Sequence, residues 1–494
     1  MVNHGSKVPD QFIIDQSVSQ VNYNQQASQL TPVGMRQLYL RGREMRRRYI
    51  EDPSQFLDKL PNSEQIYAFS MNKDYCYVSA MSYLSGLYPS GLQQKLWDNQ
   101  TQIAVPPIEV FDRDQLINEL DGYPLLQDIQ TIPIHSNAGN DFSMLFNPQD
   151  SKQCPIINSI QQYNLANNTQ VKQIMQKYQN GIIKFLKNKV NIKKDFSIAD
   201  AKAFADEYFT NWFEMRYTNY TPIEEEINEI KAFMKDYFYS YKYSNKTVQQ
   251  VANQELFKNL IFLFDGRAEE VVGKNDNSTV HLKKQKYWYH QVDQDYLASF
   301  IAALDLQDKQ VPLFSSSLVI QFYIRNYNPQ PVVSDYDRSD YYVKFYFDDQ
   351  PVKSSSFECN ENFECSWDLV AKYFEGMKLN DTITGQKISD LKQFCFSSLN
   401  MQAIDDDGDS SPSNVPWWLA IVIAVPLVII TIAIIKIIMI VNEKKRRKRE
   451  EQEAIYNRLT PQTDSGSSNI QQQRRDNIPH SINAEDDVEH NSTI

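Results

Sequence analysis

NHGSKVP, residues 3–9, sets a histidine and a glycine side by side almost at the first residue, with a lysine and a proline close behind. The next strong signal is LTPVGMRQLYLRGREMRRRYIED, residues 30–52. Thr31 is placed to cap a helix there, and Pro32 takes its first position, where a missing N–H is no loss. Leu38, Met45 and Tyr49 recur at helical spacing with Gly42 between them, and the arginines fall mostly on the other faces. The His-Gly pair therefore stands where a strand would end, ahead of a helix.

Working outward, residues 79–91 (SAMSYLSGLYPSG) read as a second helix, ended by Pro89. Residues 155–270 read as mostly helical, with polar faces and many aromatics. A helix is predicted over 297–306, then strands over 316–326 and 340–352, both rich in β-branched and aromatic residues with alternation. Strand–helix units at both ends around a helical middle predict an α/β core with a helical cap, its ligand site at the C-terminal ends of the strands.

The chain has 494 residues, 62 acidic and 50 basic, for a formal net charge of −12. That balance argues against a general nucleic-acid binder. Glycine is scarce, but hydrophobic residues make up 41%, enough for a sizeable core. Five cysteines, Cys76, Cys154, Cys359, Cys365 and Cys395, contain no C-x-x-C pair, so a zinc ribbon or thioredoxin-like site is not expected.

Residues 417–441 (WWLAIVIAVPLVIITIAIIKIIMIV) are long and apolar enough to cross a bilayer. Trp417 and Trp418 stand at one end as an aromatic anchor. The basic run 444–449 follows the other, so the positive-inside rule puts the tail in the cytosol and residues 1–416 outside or in a lumen. Lys436 lies near the cytosolic end, where it can snorkel. A lumenal start calls for a signal peptide, and Met1 is followed by polar residues, so the expectation is that a signal peptide and the first buried strand precede residue 1. Sequons at Asn99, Asn167, Asn219, Asn245, Asn277 and Asn380 all precede the span; Asn491 follows it. Tyr456-Asn457-Arg458-Leu459, fifteen residues past the span, forms a Tyr-x-x-apolar pattern of the kind clathrin adaptors bind.

Together these pieces resemble the histidine acid phosphatases, the branch that includes the prostatic and lysosomal enzymes. The family opens with R-H-G-x-R-x-P, where this chain has Asn3, His4, Gly5, Ser6, Lys7, Val8 and Pro9. It continues with L-T-x-x-G-x-x-Q-x-Y-x-L-G, matched here by Leu30, Thr31, Gly34, Gln37, Tyr39 and Gly42. Residues 130–141 resemble the segment before the family's cap, and residues 302–323 the helix, loop and strand after its His-Asp motif. The resemblance runs from residue 1 to about 395. It implies an α/β fold, a phosphoglycerate-mutase-like mixed sheet flanked by helices, with a helical cap insertion, followed here by one transmembrane helix. The expected organisation is a core of 1–125 and 270–400, a cap over 126–270, an acidic linker over 401–416, the span over 417–441 and a disordered cytosolic tail over 442–494. It further implies disulfides Cys359–Cys365 and Cys154–Cys395, leaving Cys76 unpaired.

In the family the motif histidine attacks phosphorus and forms a phosphohistidine, three arginines hold the phosphate oxygens, and an Asp after a second His protonates the leaving alcohol. The resemblance carries the nucleophile to His4 and two arginine positions to Asn3 and Lys7. Counting back from Ser79-Ala80 in the family's D-x-D-R-T-L-x-S-A puts the third arginine at Tyr75. Counting back from Leu297 puts the His-Asp pair at Asp293-Gln294. Lys7 and Asn3 remain as phosphate-binding candidates. Gln294 is an amide with no proton to give, and the loss of a general acid alone lowers a rate roughly 10²–10⁴-fold. His290 and Asp295 are the nearest substitutes, but an odd offset along a strand turns His290 to the other face. His4 is thus either a retained nucleophile or a strand-end residue kept for packing.

The expectation is a membrane-anchored family member with weak or absent phosphomonoesterase activity, at the lysosome, endosome or cell surface; the alternative is an active acid phosphatase working through His4. No metal or cofactor is implied. The expected partners are a phosphate monoester or other small ligand, the lipid bilayer and a clathrin adaptor at Tyr456 and Leu459, with a homodimer left open.

Overall fold

Val2–Asn3 (β1), Ile66–Ser70 (β2), Ile134–His135 (β3) and Tyr287–Val292 (β4) form one sheet in the order β1-β4-β2-β3, each neighbouring pair parallel. The computed structural model describes residues 1–13, 26–53, 55–92, 95–106, 108, 110–126, 129, 131–136, 154–189, 197–215, 223–271, 285–325, 337–379, 382–383, 386–387 and 391–396. The chain separates into two units, Met1–Asp407 and Gly408–Ile494, and every described residue falls in the first. β2 is buried at four of its five positions, as a parallel strand covered on both faces must be. Val2 and Asn3 pair with Gln291 and Val292, so at least two residues of the strand leading to His4 stand in the sheet.

Helices flank this sheet. Pro32–Tyr49 (α1) begins as the sequence predicts: the Thr31 hydroxyl accepts from Gly34 N at 3.0 Å and Pro32 occupies the first turn. Asp74–Leu87 (α2) starts five residues before the predicted 79, because the chain turns into the helix almost directly after β2 ends at Ser70. The short helices Asp98–Ile103 (α3) and Arg113–Glu119 (α4) follow. Among the described residues, six helices lie between β3 and β4: Pro155–Asn167 (α5), Thr169–Tyr178 (α6), Lys184–Lys189 (α7), Ile198–Glu214 (α8), Glu224–Asp236 (α9) and Lys246–Val271 (α10). π-helical turns at Gln179–Ile183 and Tyr237–Lys242 join α6 to α7 and carry the chain on from α9. One apolar core lies among α5–α9 and the first turns of α10, with Phe204, Ile230 and Phe238 at its centre. The rest of α10 leaves that core: Leu256, Phe257, Phe264 and Ala268 pack with the sheet-side residues Val292 and Phe300.

Gln294–Ala303 (α11) follows β4 directly, starting three residues before the predicted 297 because Asp293 caps it, accepting from Tyr296 N at 2.8 Å. A second, antiparallel sheet contains Leu318–Ile324 (β5), Tyr341–Phe347 (β6) and Gln350–Val352 (β7), with Cys365–Ser366 (β8) also paired to β6. The predicted single strand over 340–352 is a hairpin. Asp348 and Asp349 take positive φ of 45° and 67°, and the chain reverses there. β6 alternates strictly between buried and half-buried positions, the pattern of an antiparallel strand with one covered face. Val2 bridges antiparallel to Ser317, joining the two sheets. Trp367–Gly376 (α12) covers the antiparallel sheet, and Leu391–Cys395 (α13) ends the described chain. The fold is thus mixed α/β, as expected.

Disulfides join Cys154 to Cys395 and Cys359 to Cys365, while Cys76 is free and buried, the pairing the resemblance implies. The span at 417–441 and the Tyr456–Leu459 motif lie outside the described residues. Among the described residues no helix is long and apolar enough to cross a membrane.

α1 and α2 meet backbone to backbone. A Cβ on Gly42 would lie 2.0 Å from Tyr83 O, and one on Gly86 would lie 2.1 Å from Tyr39 O. Gly42→Ala must force the helices apart, which outweighs the helix propensity alanine adds; the expected loss is about 1–3 kcal/mol in urea unfolding. An unchanged or raised midpoint would contradict this close approach.

Candidate active site

Because β1, β4 and β2 run parallel, the residues that follow Asn3, Ser70 and Val292 share one sheet edge. Those residues are His4, Lys73 with Tyr75, and Asp293 with Gln294. The edge where parallel strands hand over to helices is where α/β folds place their ligands.

The loop after β1 is held from several sides. Gly5 N donates to Ser79 Oγ at 3.3 Å, and Ser6 N donates to Gln37 Oε1 at 2.9 Å. A Cβ on Gly5 would sit 2.3 Å from Gly34 O, so the two motif glycines pack backbone against backbone. Glu214, at the end of α8, accepts from Ser6 Oγ at 2.7 Å and from Thr31 Oγ1 at 2.6 Å, which ties the helical insert to this loop.

His4 is buried. Its Nδ1 lies 2.7 Å from the Gly5 carbonyl. A carbonyl only accepts, so Nδ1 carries the proton and Nε2 keeps its lone pair, the tautomer a nucleophile at Nε2 needs. Burial and the Lys7 ammonium lower its pKa to about 3, against the pull of Gly5 O and Asp293. The ring therefore stays neutral in mild acid.

Tyr75 stands edge-on to His4 with ring centroids 4.7 Å apart, and Phe314 lies 5.6 Å away on the same ring. Tyr75, the position counted for the third arginine, is thus in contact with the His4 ring. Burial raises the Tyr75 phenol well above its ordinary range, so it is neutral. Lys7 Nζ is 5.1 Å from the Tyr75 ring centroid and pairs with Asp10. Asn3 turns instead to the loop before β5: its amide donates to Leu313 O at 2.8 Å and Pro312 O at 3.3 Å, and its Oδ1 accepts from His4 N at 2.9 Å. That side chain orients the loops around His4 and leaves Lys7 as the charged member of the opening motif.

Asp293 uses its two oxygens separately. Oδ1 caps α11, and Oδ2 pairs with Lys73 Nζ at 2.5 Å. Gln294 is engaged at both ends, donating to Pro312 O at 2.9 Å and accepting from Lys202 Nζ at 3.0 Å. Lys202, on α8, also pairs with Asp206. Asp295 pairs with Lys242 at 2.8 Å, and although burial opposes its charge, Lys242 and Lys202 hold its carboxyl down to about 2. It has no proton to donate near neutrality. His290 is buried within β4 opposite Phe69, and among the described residues no hydrogen bond or ring contact joins it to His4. Burial lowers it to about 3 as well.

Lys73 and Lys202 are the site residues that the sequence reading missed. The signal for Lys73 was available, since it stands two positions before Tyr75 at a strand-to-helix junction. Burial works against its charge, but Asp293 outweighs burial and holds it firmly protonated. Lys202 gave no sequence signal, because it comes from the insert.

The two neutral histidines tie stability to pH. Both have folded pKa values of about 3, well under the ordinary 6.5. As pH falls from about 6.5 toward 3, the unfolded chain binds protons that the fold refuses, so stability drops by up to about 1.4 kcal/mol per pH unit for each histidine. Replacing both, as His4→Gln with His290→Gln, should flatten the slope of unfolding free energy against pH in that window. A slope unaffected by the double change would show that neither ring is held neutral.

The model of the histidine phosphatase superfamily (branch 2) matches residues 3–348. A Caenorhabditis elegans protein named as an acid phosphatase is 43% identical over 63 residues, a match covering 13% of this chain and 14% of that protein, far less than two thirds of its length. Among solved structures, the phytase from Citrobacter braakii superposes with a TM-score of 0.53 at 13% identity, over 76% of this chain and 96% of that one. The Hafnia alvei phytase in complex with myo-inositol hexakis sulphate gives 0.53 at 12% identity, over 76% and 95%. At such identities the likeness is one of fold. From the His-Gly motif to the turn between β6 and β7, this chain belongs to the histidine phosphatase superfamily, branch 2.

Proposed function

We propose that this protein binds phosphate monoesters at the His4 edge of the sheet and turns them over slowly or not at all. The observation that carries this reading is Gln294. Counting from Leu297 puts it at the family's proton-donor position; it is an amide, and both its ends are engaged, by Pro312 O and Lys202. Without a general acid the leaving alcohol departs as an alkoxide, a penalty of roughly 10²–10⁴ in rate. Tyr75 in place of an arginine removes a bidentate contact to the transferring phosphoryl group, which lysines replace as point charges.

A second reading, an active acid phosphatase, draws support from His4 itself: its lone pair is on Nε2 and its ring is neutral in acid. Release of inorganic phosphate from an alkyl ester, β-glycerophosphate, at pH 5 separates the two, because its leaving alcohol needs a proton. The expected wild-type rate lies at least 100-fold below that of a Citrobacter braakii phytase control, and His4→Ala removes what remains. Gln294→Asp should raise turnover about tenfold or more. Wild-type turnover equal to the control would favour the second reading.

The span at 417–441 and the tail motif at Tyr456 and Leu459 support a single-pass protein with its family domain lumenal or extracellular, sorted toward endosomes or lysosomes. The full chain should remain in the membrane pellet after alkaline carbonate extraction, and a chain stopped before residue 417 should not. Release of the full chain would argue against the anchor.

A further inference from the structure

We propose that Lys73 is an anion-binding residue of this site, standing in for the arginine absent at Tyr75, and that Asp293 is its internal counter-ion, which a phosphate must displace. The inference rests on the phosphate-binding reading above and adds a cation and a built-in competitor to it.

The geometry supplies the cation. Lys73 Nζ is 5.7 Å from the centroid of the Tyr75 ring, and Lys7 Nζ is 5.1 Å from it. The same ring stands edge-on to His4 at 4.7 Å. Two ammonium groups thus share one aromatic ring with the nucleophile, and the charges of both act on His4. The positive charge that left position 75 is present again two residues earlier on the same turn.

The counter-ion follows from how Asp293 is held. Its side chain is 7% exposed, and its Oδ1 is fixed as the cap of α11. Its Oδ2 takes Lys73, whose side chain is 32% exposed. The carboxylate is therefore the fixed partner and the lysine the one free to swing. A phosphate dianion offers Lys73 more negative charge than one carboxylate oxygen, so exchange of partners needs only a change in the lysine's rotamers while the helix cap stays intact. Until that exchange occurs, the site satisfies its own cation, and its affinity for phosphate is lower than the number of lysines suggests.

Calorimetric titration of the full-length chain with inorganic phosphate at low ionic strength tests this through a double-mutant cycle. Asp293→Asn keeps an oxygen for the cap, since asparagine is as good an N-cap as aspartate, but frees Lys73. It should tighten phosphate binding at least tenfold. Lys73→Met should weaken binding at least tenfold, and placed on top of Asp293→Asn it should abolish the gain. Thermal melts of each variant confirm folding. No gain in Asp293→Asn, or a gain that persists without Lys73, overturns the proposal, because removal of a negative charge alone would then explain the result. Lys7→Gln and His4→Ala separate the two levels of failure. If they weaken phosphate binding while the Lys73 cycle shows no coupling, only this inference falls. If no variant alters binding, the phosphate site falls with it.

Discussion

β4 hydrogen-bonds to β1 on one side and to β2 on the other, both parallel, and the grouping of side chains around His4 depends on that arrangement. Parallel pairing sends three chain segments off the same edge within a few residues of one another: His4 after β1, Lys73 and Tyr75 after β2, Asp293 and Gln294 after β4. An antiparallel neighbour would have carried one of these groups to the opposite end. The two junctions after β2 and β4 run directly into helices, so their side chains are set by rigid elements. The third, after β1, is a loop, and it is braced accordingly by Gln37, Ser79, Glu214 and the contact of Gly5 with Gly34.

Much of this was legible in the sequence where the signal is local or where covalent spacing carries it. Thr31 and Pro32 announce their helix, and Tyr75 and Ser79 lie on one helix, so the offset between them is a fixed direction. The resemblance also supplied the cysteine pairing. What escaped the reading is non-local. Lys202 reaches Gln294 from 92 residues away, and Asn3 turns toward residues 312 and 313. Neither partner is visible in the neighbouring sequence. The strand predicted over 340–352 failed for a different reason. Asp348 and Asp349 adopt left-handed backbone without a glycine, a turn held in place by Arg41 and Arg48 from α1. Its stabiliser lies roughly 300 residues earlier in the chain.

The electrostatics of the edge differ in kind from a clamp of guanidinium groups. The two lysines that act on His4 are paired, Lys7 with Asp10 and Lys73 with Asp293, and Lys202 and Lys242 from the insert pair with Asp206 and Asp295. Ammonium groups are point charges on flexible stems, without the planar fork of a guanidinium. The net effect at His4 is a ring kept neutral by burial and by Lys7, next to a phenol that also stays neutral. At this edge a neutral histidine stands beside Lys7 and Lys73, each of which is paired with a carboxylate.

The bond between Cys154 and Cys395 spans 241 positions and encloses α5–α10, β4, α11 and the antiparallel sheet in one covalent loop. A protease that cuts once anywhere inside that loop leaves two products still joined. The protein can therefore be converted to a two-chain form without shedding the helical insert from the sheet that carries His4. Such a nick would pass unnoticed on a non-reducing gel and appear only when the disulfide is reduced.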